Sequence, residues 1–290
     1  MKPPAPARGR PPGPGKPPQT ALQQVFGLPD RMLADRVFKH LAYEPPADVL
    51  SAIPTKALLA CTARSGSSIM SAALVRYGLN FQEFVNPEGY VAPAARGRPG
   101  FTVNDFARHL RDHAVRNGVL AIKFAPTVLL YLAAMGETPD RLADWRIVFL
   151  RRRNLVRQAI SAFIAETTGS WTSRMAATAP ISEADYSFER ILALVDLYSG
   201  NNEHWERLFG LFGLEPLRVV YEDYVAALDD GTEQIARFIG VDSDAFPNAR
   251  TQTPVLESQT TELNGVWERR FRAELLTKAQ GAVAKAVAAS

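Results

Sequence analysis

The 290-residue sequence predicts an α/β fold of three layers, a central and mostly parallel sheet flanked by helices. Short, continuously apolar runs alternate with longer stretches of helical periodicity. The runs lack the apolar and polar alternation of a half-exposed strand, so they fit a sheet covered on both faces. The first of them turns into a helix through the serine-rich segment "ACTARSGSSIM", residues 60–70.

Each element follows in chain order. The opening "MKPPAPARGRPPGPGKPP" is rich in proline and glycine and cannot bury a core, so residues 1–20 are expected to be a disordered basic tail, with a single domain over 21–290. "ALQQVFGLPDRMLADRVFKHL" mixes short helical patterns broken at Pro29 and leads to the first strand at 57–61. Ile69, Met70, Ala73, Leu74 and Tyr77 recur at helical spacing as far as Gly78, a C-cap residue. Further strands are predicted at 118–124, 145–150 and 217–221, and further helices at 103–116, 127–135, 155–167, 182–212 and 232–239. "NPEGYVAPAARGRPGFTVND" breaks the periodicity and reads as a long surface loop over 86–104, suited to a lid or an acceptor-site loop.

Composition narrows the function. No apolar run approaches the roughly 20 residues of a membrane span, and the N-terminus lacks a signal-peptide core, so a cytoplasmic protein is expected, with peripheral membrane association and a homodimer both compatible with it. Cys61, the single cysteine, excludes an intrachain disulfide and a thiolate metal site, and at a strand end it reads as a small buried apolar residue. The formal charge is +3, but Lys2, Arg8, Arg10 and Lys16 all lie in the opening segment and leave the remainder at −1. The folded part is therefore not basic, and no nucleic-acid partner is expected. His109 and His113 stand four apart in "HLRDH" without the glutamate of a zinc-binding helix, so they read as surface residues and no metal is expected. His204 reads as packed or exposed, Glu222 and Asp223 as helix-dipole partners, and the tryptophans as core or core-edge residues.

The turn after the first strand carries the most chemistry. A loop that opens a helix leaves backbone N–H groups unpaired at the positive end of the helix dipole. Ser65, Ser67 and Ser68 add hydroxyl donors around Gly66, where the chain can approach a ligand closely. That arrangement suits an anion, most naturally a phosphate, and gives two readings of the segment, a phosphate loop after the first core strand or a plain serine-rich helix N-cap. It is not the G-x-x-x-x-G-K-[ST] loop, because Arg64 precedes Gly66 and no lysine follows.

"CTARSGSSIMSAAL" resembles the 5′-phosphosulfate loop of sulfotransferases that use 3′-phosphoadenosine 5′-phosphosulfate (PAPS), in particular the bacterial carbohydrate branch containing the mycobacterial trehalose 2-sulfotransferase. "RIVFLRRRNLVRQAISAFIAETTGSW" resembles the 3′-phosphate element of the same family, with Arg152 and Arg153 at a strand end and Ser161 on the following helix; either arginine fits the spacing. "LNFQEFV" resembles the segment that carries the general base, which maps to Glu83. "TPVLESQTTELNGVWERRF" resembles the C-terminal segment, with Trp267 and the arginines after it near the cofactor side.

The resemblance implies sulfuryl transfer from PAPS, as co-substrate, to a hydroxyl of a carbohydrate or glycolipid acceptor. It implies that Arg64, Ser65, Gly66, Ser67 and Ser68 cradle the phosphosulfate, that Arg152, Arg153 and Ser161 hold the 3′-phosphate, and that Glu83, its pKa raised by partial burial, takes the acceptor proton. Lys123, at the end of "VLAIKF", is a further catalytic candidate beside the sulfuryl group, with a solvated strand-end lysine as the alternative. Two other readings stay open: a nucleotide kinase-like enzyme with a phosphate loop, and a non-catalytic sugar-binding relative of the fold.

Overall fold

The computed structural model describes residues 37–171, 175–251 and 261–289. The basic tail and most of the segment containing Pro29 lie outside the described residues. Four strands, β1 (Thr55–Ala60), β2 (Val119–Phe124), β3 (Arg146–Arg151) and β4 (Leu217–Val220), form one sheet in the order β2-β1-β3-β4 with every pairing parallel. β1 and β3 occupy the middle, and the interiors of both are buried. That is why these runs carry no polar alternation.

Helices cover both faces, as the sequence predicts. On one face, α1 (Ser67–Leu74), α6 (Tyr221–Ala226) and α7 (Leu228–Ile239) pack on Ala57, Leu59, Val148 and Leu150. On the other, α2 (Val103–His113), α3 (Val128–Ala134) and the C-terminal half of α5 (Phe188–Phe212) pack on Leu58, Leu120, Ile122 and Phe149. A third apolar cluster joins α4 (Leu155–Thr168) and the first half of α5 to Trp267 and Phe271 of α8 (Glu262–Ala289).

Caps set most of the helix boundaries. Asn154 accepts from Arg157 N–H at 3.0 Å to start α4, and Thr102 and Asp105 form a capping box on α2. The helix predicted over 182–212 is two elements: Ser182 and Asp185 cap a 3₁₀ turn of their own, and Ser187 then starts α5. Two caps within six residues override a continuous apolar period. α1 ends at Leu74, with a 3₁₀ turn completing the run to Gly78, which caps it at φ 70°.

The surface loop expected over 86–104 is only partly a loop. Pro87–Val91 forms a π-helical turn that continues into a helical turn at Ala92–Ala95, and Val91 is fully buried. Pro87 and Pro93 sit in first turns, where a missing N–H costs nothing. α8 has no counterpart among the predicted helices, because beyond Phe271 its side chains are largely exposed and its sequence shows no apolar face.

Glu137, 1% exposed, lies near the amino-terminal end of β1, where it pairs with Lys56 at 3.2 Å and accepts from Trp145 Nε1 at 2.8 Å. Glu137→Leu leaves the Lys56 charge buried without its counter-ion. It should therefore lower unfolding free energy by about 3–5 kcal/mol, read from urea denaturation, while the double variant Lys56→Met, Glu137→Leu should recover most of that loss.

Candidate anion-binding site

The site is built where β1 and β3 end, side by side at the centre of a parallel sheet, the position at which such sheets bind ligands. β1 gives way at Cys61 to a six-residue turn, and α1 begins at Ser67 with Gly66 as its N-cap. Gly66 stands at φ 100°, and a Cβ there would overlap the ring of Tyr221. Glycine is thus required twice at this position, by backbone conformation and by close approach. Arg64 is itself left-handed at φ 60°, an uncommon state for a residue with a side chain.

The carbonyls of the turn are drawn toward the protein. Trp205 Nε1 donates to Cys61 O at 3.4 Å, Gln158 Nε2 to Ala63 O at 2.7 Å, and Arg152 Nη1 to Arg64 O at 3.3 Å. Peptide planes pinned by their oxygens turn their N–H groups the other way, and the first-turn N–H groups of α1 have no partner within the helix. Ser65 is fully buried, and its Oγ has no hydrogen-bond partner among the described residues. A buried hydroxyl of that kind beside open N–H groups fits a bound anion.

Cations converge on the same place. Arg64 Nε donates to Ser161 Oγ at 3.0 Å, and Arg64 Nη1 donates to Trp171 O. The Arg152 guanidinium lies over Tyr221, 4.6 Å from the ring centre, with its Nε 4.0 Å from Glu222. Burial, reinforced by the neighbouring Arg152 charge, pulls the pKa of Arg64 down, and burial pulls that of Arg152 down as well. Two partly buried guanidinium groups that disfavour each other's charge are stabilised by an anion placed between them.

The structure thus brings together Arg64, Ser65, Gly66, Ser67, Ser68, Arg152 and Ser161. Arg153 stands apart from this group: its guanidinium is exposed and bonds both oxygens of Asp223, at 2.8 and 2.6 Å. All three arginines from Arg151 to Arg153 line an adjoining open cleft of about 460 Å³, together with Ser199, Asn202 and Glu206 of α5.

Lys123 is 8% exposed at the carboxyl end of β2, so the alternative of a solvated strand-end lysine does not describe it. Its backbone N–H donates to Gln82 O at 2.9 Å, which seats Glu83 beside that strand end. Glu83 itself is exposed and accepts from Asn86 Nδ2 at 3.2 Å. The partial burial anticipated for it is absent, because the carboxylate points to solvent with Asn86, three residues on, as its hydrogen-bond partner.

Other residues sit as their surroundings dictate. Trp267 is fully buried among Phe163 and Tyr186, within the cluster that packs α8 on α4. His109 is tucked against Tyr90 and Phe106, and His113 is exposed beside it. No group of metal ligands occurs among the described residues, and no helix there is long and apolar enough to cross a membrane.

Sequence reasoning missed four residues that shape the site: Gln158, Trp205, Tyr221 and Glu222. Glu222 does more than face a helix dipole, since its two carboxylate oxygens accept the N–H groups of Arg153 and Asn154 at 2.9 and 3.2 Å. It thereby fixes the turn that follows β3. A buried glutamine three residues before Ser161 was the one available signal, because a polar residue inside an otherwise apolar helix face needs a partner.

Residues 132–274 match the family model described as Stf0 sulphotransferase. No curated protein matches the chain. The matched span holds Arg152, Arg153 and Ser161, whereas the turn at 61–66 lies outside it and joins it through tertiary contacts.

Burial holds the Cys61 thiol up at about 11. Ellman's reagent at pH 8 should therefore leave Cys61 unmodified in the native protein and titrate one thiol after denaturation. Gly66→Ala should displace Tyr221 and strain the turn, with a stability loss of about 1–3 kcal/mol measured by thermal unfolding.

Proposed function

We propose, from the membership of this chain in the Stf0 sulphotransferase family over residues 132–274, that its turn at 61–66 and the start of α4 form one site for PAPS, from which a sulfuryl group passes to a hydroxyl of a carbohydrate or glycolipid acceptor. Membership makes the protein a sulfotransferase. The observation that carries the finer reading is the 3.0 Å contact of Arg64 with Ser161, which unites a phosphate-type turn with the arginine and serine element 97 residues away in sequence.

The residues present suit the donor. The N–H groups at 66–68 and the hydroxyls of Ser65, Ser67 and Ser68 would receive the 5′-phosphosulfate, Ser161 with Arg152 would hold the 3′-phosphate, and Arg153, which lines the adjoining cleft, would reach it by leaving Asp223. When bound, PAPS supplies the activated sulfuryl group. Charge then builds on the phosphate oxygen that leaves, and donors already aimed at that oxygen lower the barrier without reorganising. Arg64 serves there as a fixed charge, since a guanidinium retains its proton at ordinary pH.

Lys123, buried at the end of β2, would steady the group in transfer, and Glu83 beside it would take the proton of the acceptor hydroxyl. The exposure of Glu83 suits this role in a site that the acceptor itself completes, because the arriving substrate supplies the burial. We place the reaction in the cytoplasm.

Calorimetric titration tests the reading. Adenosine 3′,5′-bisphosphate should bind the wild-type protein more tightly than ATP with magnesium. Removing Arg152, Arg153 or Ser161 should each weaken it, the arginines by about tenfold or more, as for hydrogen bonds to charged groups. With a carbohydrate acceptor, Glu83→Gln and Arg64→Ala should each lower turnover on the order of 10²-fold. Preference for ATP, or binding of neither nucleotide, would overturn the assignment of the donor.

A further inference from the structure

We propose that Gln158 is a positioning residue of this site, tying the phosphate-binding turn to the helix that carries Ser161 so that the two move as one unit; the proposal rests on the reading of the turn as the nucleotide cradle. Gln158 is fully buried on α4. Its amide nitrogen spends both hydrogens on the turn, donating to Thr62 Oγ1 at 2.6 Å and to Ala63 O at 2.7 Å.

The amide can face only one way. Exchanging its oxygen and nitrogen would set two acceptors, Oε1 and the Ala63 carbonyl, against each other. In the orientation observed, Oε1 is buried with no hydrogen-bond partner among the described residues. A side chain that leaves one polar atom unsatisfied in the interior does so at a cost, and the only return visible is the pair of bonds to the turn.

Those two bonds act at a sensitive point. Ala63 immediately precedes Arg64, whose φ of 60° turns the chain so that the Ser65 N–H closes back on Thr62 O at 3.3 Å and the chain enters α1 through Gly66. Fixing the Ala63 carbonyl fixes the peptide plane that enters this conformation. Gln158 also lies three residues before Ser161, hence on nearly the same face of α4, and Ser161 accepts from Arg64 at 3.0 Å. The turn is thus held to α4 at both ends of the Ala63–Arg64 segment.

The test is a double-mutant cycle read as affinity for adenosine 3′,5′-bisphosphate, with thermal unfolding followed in parallel. Gln158→Met keeps the volume and removes the amide, and it should weaken binding about tenfold. Thr62→Ser keeps the hydroxyl acceptor and should bind more tightly than Thr62→Val, which loses it. The double variant Gln158→Met, Thr62→Val should bind no more weakly than Gln158→Met alone, because both remove the same bond.

Binding by Gln158→Met within twofold of wild type would overturn the proposal. So would losses that multiply in the double variant, as expected of two independent packing defects. If Gln158→Met does not fold, the Thr62 pair decides alone, and equal affinity of its two members overturns the tether. Failure of the wild-type protein to bind the bisphosphate is a different result: it removes the nucleotide reading, and the inference with it.

Discussion

The site depends on one constraint: every carbonyl of the turn after β1 that is fixed by a side chain is fixed from the protein interior. Trp205, Gln158 and Arg152 hold the oxygens of Cys61, Ala63 and Arg64. A peptide plane has its oxygen and its N–H on opposite sides, so this anchoring turns the attached N–H groups away from the three side chains that hold the oxygens. The left-handed geometry at Arg64 and Gly66 is tolerated because the surrounding bonds over-determine it.

The fold serves that turn. A central, all-parallel sheet ends its two middle strands together, so the segments following β1 and β3 meet although 88 residues separate Arg64 from Arg152. β4 then delivers Tyr221 and Glu222 to the same edge. The ring of Tyr221 stands against both Gly66 and Arg152, and the Glu222 carboxylate caps the turn after β3. Positive charge is concentrated where strands, turn and helix amino-termini converge, and the nearest carboxylate, Glu222, accepts two backbone N–H groups while lying 4.0 Å from Arg152.

How far the sequence foretold this varies from residue to residue. The strands were legible because both faces of each are covered, which gives continuous apolar runs and no ambiguity of phase. The turn at 65–68 was legible as the opening of a helix because serine and glycine before a helical period are favoured N-cap residues, and Gly66 is the N-cap here. The order of Arg152 and Arg153 was not legible: adjacent residues of a strand end point to opposite sides, and only the path of the chain into α4 sends Arg152 toward the turn and Arg153 toward Asp223. The split of 182–212 into two elements was missed because apolar periodicity continues through the caps. α8 was missed because its exposed half has no apolar face to mark it.

The amino-acid sequence by itself determined the class of fold, the strands and the donor-rich turn, since each is written in local pattern: apolar continuity, helical period, and residues permissive of positive φ. Tertiary structure alone decided which side chains complete the site. Gln158, Trp205, Tyr221 and Glu222 owe their roles to partners far away in sequence, and the exposure of Glu83 and burial of Lys123 follow from how residues 81–83 lie against the end of β2. Local pattern records what a residue prefers. Its charge state, its partners and the direction it faces are set by what the folded chain places around it.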